Sequence, residues 1–283
     1  MRRSTVLSCF LMLLPVMTPA ADTSPAAAEP ARVSPAATLS AAQIVERNVA
    51  ARGGLAGWRA VKTLSWSGKM DAGGNNRPTL AMPGPRHKGA MPPPRPTEQA
   101  QLPFVLEMAR PRKSRLELQF AGQTAVQVYD GTQGWKLRPY LNRHEVENYL
   151  PEELNAAAAQ PDLDGPLIDY AAKGIAVALA GTETVDGQPA YKLALTLKDK
   201  RVQNVWIDAK TFLEVKMDGT PRRLDGKMHP VWVYYRDYKT VSGLVMPMVY
   251  ETSVEGVKST EKISIETVVV NPKLPDGRFA KPV

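Results

Sequence analysis

A chain of 283 residues with 43% apolar content can bury a sizeable core, as one large domain or two small ones. Its formal charge of +8 suits contact with anionic surfaces but says nothing about fold. The single cysteine, Cys9, lies near the start, so a chain trimmed there has no disulfide, thiolate zinc site or cysteine nucleophile.

Residues 1–20 read as a secretory signal. Arg2 and Arg3 open it, Val6 to Met17 form the apolar run, and Thr18-Pro19-Ala20 suits cleavage after Ala20. The run is shorter than the roughly 20 residues a bilayer span needs, which argues against an anchor. Val6-Leu7-Ser8-Cys9 resembles a lipobox, but it leaves too little apolar chain ahead of the cysteine. Lipidation of Cys9 is therefore the minor alternative. Cleavage removes two of the 36 basic residues and no acid, so 34 face 28 and the net charge becomes +6. The expected product is secreted, soluble, and monomeric or weakly associated.

Residues 21–38 are rich in Ala, Pro and Ser without periodicity, a disordered leader. One domain is expected over residues 39–283. Ser40 is placed to cap a helix carrying Ile44, Val45, Val49 and Ala50, which Gly53-Gly54 ends. Leu55 to Val61 adds a helical turn, and Thr63 to Met70 the first strand. Residues 73–103 then break the pattern with repeated prolines, three of them consecutive at Pro92 to Pro94. Arg77, Arg86, Lys88 and Arg95 make this loop basic. It reads first as a solvated hairpin loop, and second as an arm for phosphate headgroups or an acidic partner.

Strands resume beyond it. Phe104, Leu106 and Met108 alternate with polar or smaller neighbours, as do Leu116, Leu118 and Phe120, then Val126 and Val128. Asp130-Gly131 marks a turn before Trp135 and Leu137. Residues 151–174 read as two short helices, the first rich in alanine and the second striped by Leu163, Leu167, Ile168 and Ala171. Gly174 closes the pair.

From Tyr191 to Val270 the chain is a meander with almost no room for a helix. Leu193, Leu195 and Leu197 alternate, then Val205 and Ile207, with Trp206 on the outward set. Leu213, Val215 and Met217 follow, then Val231, Val233 and Tyr235, then Leu244, Met246, Met248 and Tyr250, and last Ile263, Ile265 and Thr267. Short turns such as Ser242-Gly243 predict antiparallel pairing. The order is α+β, with about ten or eleven strands and too few helices to cover one face. Curling of the sheet, a partner or a ligand must cover the rest.

No established catalytic motif is present. His144-Glu145 is followed by Asn148, so the second histidine of a zincin helix is missing. His87 and His229 lie in turns or loops, and no nucleophile elbow, Walker loop or dinucleotide fingerprint occurs. No metal, cofactor, catalytic residue or nucleic-acid partner is expected. The methionines and tryptophans fall instead on strands, and methionine suits a surface that accepts flexible chains.

Particular residues then resemble the LolA-like superfamily of periplasmic outer-membrane lipoprotein-sorting proteins. They are Gly53-Gly54-Leu55, Trp58-Arg59-Ala60-Val61-Lys62-Thr63-Leu64 with Gly68, Arg110-Pro111 with Lys113 and Arg115, and Tyr129-Asp130-Gly131 with Gly134-Trp135. Trp206-Ile207-Asp208, Gly243-Leu244 with Pro247, and Val270-Asn271-Pro272 with Phe279 and Pro282 extend the likeness over most of the chain. The basic proline-rich loop departs from it.

That resemblance implies a strongly curved antiparallel half-open barrel, with helices across its concave face and an apolar cavity between. It implies a carrier for acyl chains of lipoproteins or other lipids, bound for the outer membrane. Trp66, Met70, Leu106, Met108, Leu116, Leu118, Phe120, Leu213, Val215, Met217, Met246 and Met248 are the expected cavity wall. Leu163, Leu167 and Ile168 are the expected lid. Transient contact with a membrane surface and an envelope protein partner fit the same picture. The alternatives are an envelope sensor that recognises a partner protein or lipid without transport, and an envelope hydrolase.

Overall fold

The computed structural model describes residues 39–73, 99–160 and 162–282. The signal, the leader and residues 74–98 of the basic loop lie outside the described residues.

The first helix, α1 (Ala41–Ala51), starts as its sequence predicts. Ser40 accepts a hydrogen bond from the Gln43 amide while the Gln43 side chain accepts one from the Ser40 amide. Ile44, Val45 and Asn48 form its buried face. The helix ends at Arg52, and Gly53 and Gly54 turn the chain with φ of 101° and 84°. A Cβ on Gly53 would stand 2.3 Å from the Gly243 carbonyl oxygen, so no other residue fits. The short α2 (Leu55–Ala60) follows and buries Trp58.

The N-terminal strands are β1 (Thr63–Gly73), β2 (Gln99–Ala109), β3 (Lys113–Phe120), β4 (Gln123–Tyr129), β5 (Gly134–Arg138) and β6 (Arg143–Asn148). After α3 (Pro151–Ala159) come β7 (Ala176–Val185), β8 (Gln188–Thr196), β9 (Val202–Asp208) and β10 (Glu214–Asp218). A small hairpin, β11 (Arg222–Leu224) with β12 (Lys227–His229), precedes β13 (Val231–Val241), β14 (Leu244–Val254) and β15 (Glu261–Val270). Among the described residues thirteen strands join one antiparallel sheet in the order β6-β5-β4-β3-β2-β1-β15-β14-β13-β10-β9-β8-β7. The β11–β12 hairpin stands apart from it.

The sequence predicts fewer strands, about ten or eleven. The excess includes β6, an exposed edge, and three-residue pieces too short for a period to show. Pro103 also lies within β2, inside a stretch the sequence assigns to a loop. Pairing of β2 with β3 stops at Phe104, so Pro103 faces only β1, a local edge that tolerates a missing N–H.

The second predicted helix does not form. Residues 163–174 are a run of turns. Gly165 and Asp169 take left-handed φ of 76° and 52°, and Pro166 lies between them, so helical hydrogen bonds cannot propagate. Leu167 and Ile168 are nevertheless 0% exposed.

Two cores lie on the inner face. Ile44, Val45 and Leu167 seal Leu193, Leu195, Val205 and Ile207. Trp58, Val61 and Ile168 meet Leu64, Phe104, Leu244, Met246, Met248 and Ile265. The outer face has its own clusters. Trp206 packs there with Val215 and Trp232, while Val126, Val128 and Trp135 lie under Phe279 of the C-terminal tail.

Charged groups fasten that tail. Arg278 pairs with Glu107 and, at 2.9 Å, with Glu117, which Arg115 also holds at 2.7 Å. Burial by itself raises the Glu117 pKa, but the Arg115 hydrogen bond and the Arg278 charge outweigh it, and the carboxyl titrates below its ordinary 4.5. A depressed folded pKa contributes stability above the ordinary value, lost as pH falls through the folded one. Protease resistance of the tail should therefore drop as pH falls below 4.5. Glu117→Gln should lower it already at neutral pH. Resistance that stays constant into acid would show that the ion pairs do not hold the tail.

Candidate functional site: the inner face of the sheet

Register aligns inner side chains into cross-strand rows. Tyr235, Tyr250, Ile263, Met70 and Leu102 form one row, through successive pairs from β13 to β2. Ile265, Gly68, Phe104 and Leu118 form the next, and Val268, Trp66, Leu106 and Leu116 the third. A bulge at Glu266 keeps Ile263 and Ile265 on the same face as Val268 and Val270 despite the odd step between them. Gly68 is required by that bulge, because a Cβ there would stand 2.0 Å from the Ser264 carbonyl oxygen.

Six predicted wall residues come together here. Trp66, Met70, Leu106, Met108, Leu116 and Leu118 surround one core cluster and stay half-buried. Met246 and Met248 belong to the closed part of that cluster, at 2% and 5% exposed. Met217 joins the other core instead.

The remaining three are corrected. Phe120 is exposed at the turn ending β3. Leu213 lies in the β9–β10 turn, its carbonyl accepting from the Asp208 amide. Val215 packs on the outer face with Trp206. The register shift between Glu214 and Lys216 breaks the alternation that would have put Val215 beside Met217.

Sequence reading missed the polar groups of this face. Arg52 and Glu214, 7% and 8% exposed, pair at 3.1 Å. The other Arg52 contacts are the Asp164 carbonyl at 3.0 Å and the Trp58 ring centre at 4.5 Å. The Tyr238 hydroxyl donates to the Glu214 carbonyl at 2.8 Å. The tyrosines Tyr235 and Tyr250 meet edge to face at 5.3 Å, and Trp66 is 5.6 Å from Tyr250. Both tyrosines keep accessible surface, yet burial pushes their hydroxyls well above the usual value.

The predicted lid residues have anchored positions. Ile168 enters one core and Leu167 the other, so the turn segment ties them together. Leu163 packs at the rim of the first. Beside them Arg110 reaches Asp162 at 3.0 Å, Asp164 at 2.6 Å and the Val61 carbonyl at 2.9 Å, while Lys173 also pairs with Asp164. By contrast α3 buries no residue. It is held by Lys136 to Glu153 and by Arg112 to the Ala158 carbonyl. A recess of about 390 Å³ lies between α2, the β13–β14 turn and the end of β15. None of the predicted wall residues lines it. Among the described residues no three His, Cys, Asp or Glu gather as metal ligands.

No protein-family model and no curated protein matches the sequence. Solved structures do match by shape. A LolA superfamily protein from Nitrosomonas europaea aligns over 86% of this chain and 99% of its own, with TM-score 0.54 and 14% identity. A DUF1329 family protein from Desulfovibrio piger aligns over 86% and 98%, with TM-score 0.53 and 13% identity. A domain from Vibrio parahaemolyticus, described as an outer membrane lipoprotein-sorting protein, aligns over 84% and 95%, with TM-score 0.51 and 12% identity. Identities this low speak for fold and not for cargo. The chain has the LolA-like fold, an antiparallel half-open barrel with its helices on the inner face.

Proposed function

We propose that this protein is a periplasmic carrier that binds acyl chains of lipoproteins or other lipids against the inner face of β1, β2, β3, β14 and β15. The observation that carries the reading is the row of large apolar side chains left half-buried beneath the helices. Trp66, Leu106 and Leu116 are adjacent across three strands and none is sealed. A core at native density would close over such residues. Each methylene laid there contributes about 0.8 kcal/mol, so even partial cover of a long chain gives firm but reversible binding. The reading assigns no catalytic residue, and its cleaved signal delivers the chain to the periplasm.

Titration of lipid-stripped protein with a fluorescent acyl probe, the methyl ester of cis-parinaric acid, tests it. Leu106→Glu should leave the protein folded and weaken probe binding by about tenfold or more. Met248→Glu, placed in the closed cluster, should unfold it. Equal unfolding by both would make the whole face ordinary core.

A further inference from the structure

Four buried side-chain atoms have no partner among the described residues, the Asn48 Oδ1, the Arg52 Nε, the Arg138 Nε and the Trp66 Nε1, and of these Trp66 alone stands in the apolar row. Trp58 and Trp206 differ from Trp66 in this respect. Their indole N–H groups donate to the Arg52 carbonyl at 3.0 Å and to Glu183 at 2.7 Å. Trp66 is instead part of the apolar row with Leu106 and Leu116, its indole beside Tyr250. Tyr250 meets Tyr235 edge to face at 5.3 Å, and Tyr238 of the same strand as Tyr235 donates to the Glu214 carbonyl at 2.8 Å, so the polar pair and Trp66 lie along one inner face.

The Trp66 and Arg52 groups are N–H donors, and neither can accept. A buried donor left unpaired is costly, so an acceptor delivered by a ligand is rewarded here. Glu214 already neutralises Arg52, at 3.1 Å. An anion brought to the Arg52 Nε would meet that carboxylate at close range in a poorly screened site. A neutral carbonyl oxygen meets no such repulsion. We infer that Trp66, backed by the Arg52–Glu214 pair, is a carbonyl subsite that takes the ester or amide group of an acyl chain lying along the inner rows.

This rests on the carrier reading and narrows it to acyl esters and amides over free fatty acids or bare hydrocarbon. The indole N–H is covered in the ligand-free arrangement, while Trp66 as a whole is half-exposed. A chain parting Trp66 from Tyr250 therefore brings the N–H to the carbonyl.

The test is a titration of nitrogen-15-labelled protein with methyl palmitate, palmitate and hexadecane, following the indole N–H signals. Trp66→Phe assigns the Trp66 signal. Methyl palmitate should bind about fivefold tighter than hexadecane, and only the ester should move the Trp66 signal downfield. Trp66→Phe should lower affinity for the ester about fivefold more than for hexadecane. The comparison of ligands on the unaltered protein stands even if that variant folds poorly. Equal binding of ester and hexadecane with a stationary Trp66 signal overturns the subsite and leaves the carrier reading intact. Palmitate outbinding its methyl ester also overturns it, since the site would then favour an anion. Binding of none of the three overturns the carrier reading and the subsite with it.

Discussion

Arg52→Met should lower folding stability by about 3–5 kcal/mol, because it leaves the Glu214 carboxylate buried without its cation. More than one contact disappears. The guanidinium also donates to the Asp164 carbonyl and lies over the Trp58 ring, so α1, α2 and the turn segment all lose a shared fastening. Adding Glu214→Leu should recover much of the loss, since a buried pair replaced on both sides leaves no lone charge. Urea unfolding of the parent, both single variants and the double variant measures the coupling. A single-variant loss below about 1 kcal/mol, the range of exposed pairs, would show that water reaches this site freely.

Ile168→Asp should be similarly damaging, by about 4 kcal/mol or more, because it puts a carboxylate at a position that is 0% exposed. Leu167→Asp should act the same way on the other core. As lid residues, both would loosen a gate and spare the sheet. Their full burial in two separate cores argues for a brace instead. The weakly held piece is α3, where Ala156 to Ala159 offer little area and no residue is buried. Amides of α3 should exchange faster than those of β14, and slow when an acyl ligand is added. Ile168→Asp that melts within a few degrees of the parent, or α3 amides as protected as β14, would reverse these roles.

Much of the local chemistry was legible. Ser40 announces the helix start, Ser242-Gly243 the hairpin, and the alternation of Leu193 and Leu195 the inner face. Trp206 read as outward and lies outward. What escaped are features set by partners far along the chain. The bulges near Glu214 and Glu266 arise from pairing with other strands and shift the period by one. The β1–β15 pairing, which joins the two halves of the sheet, carries no local mark. Nor does the Arg52–Glu214 pair, whose members are 162 residues apart. The turn run after Asp162 imitates a helix because Leu163, Leu167 and Ile168 fall at helical spacing, while Gly165 and Pro166 decide otherwise.

The central claim is that the inner face holds an acyl chain in the cell. Protein purified without detergent from the envelope of its own cells, then extracted and analysed by mass spectrometry, addresses it most directly. The account predicts acyl lipid or acylated lipoprotein in near-stoichiometric amount, lost on Leu106→Glu while the protein stays folded. A co-purifying protein without lipid would favour an envelope sensor. Protein that emerges free of lipid, and takes up none when acyl chains are supplied, would contradict the account.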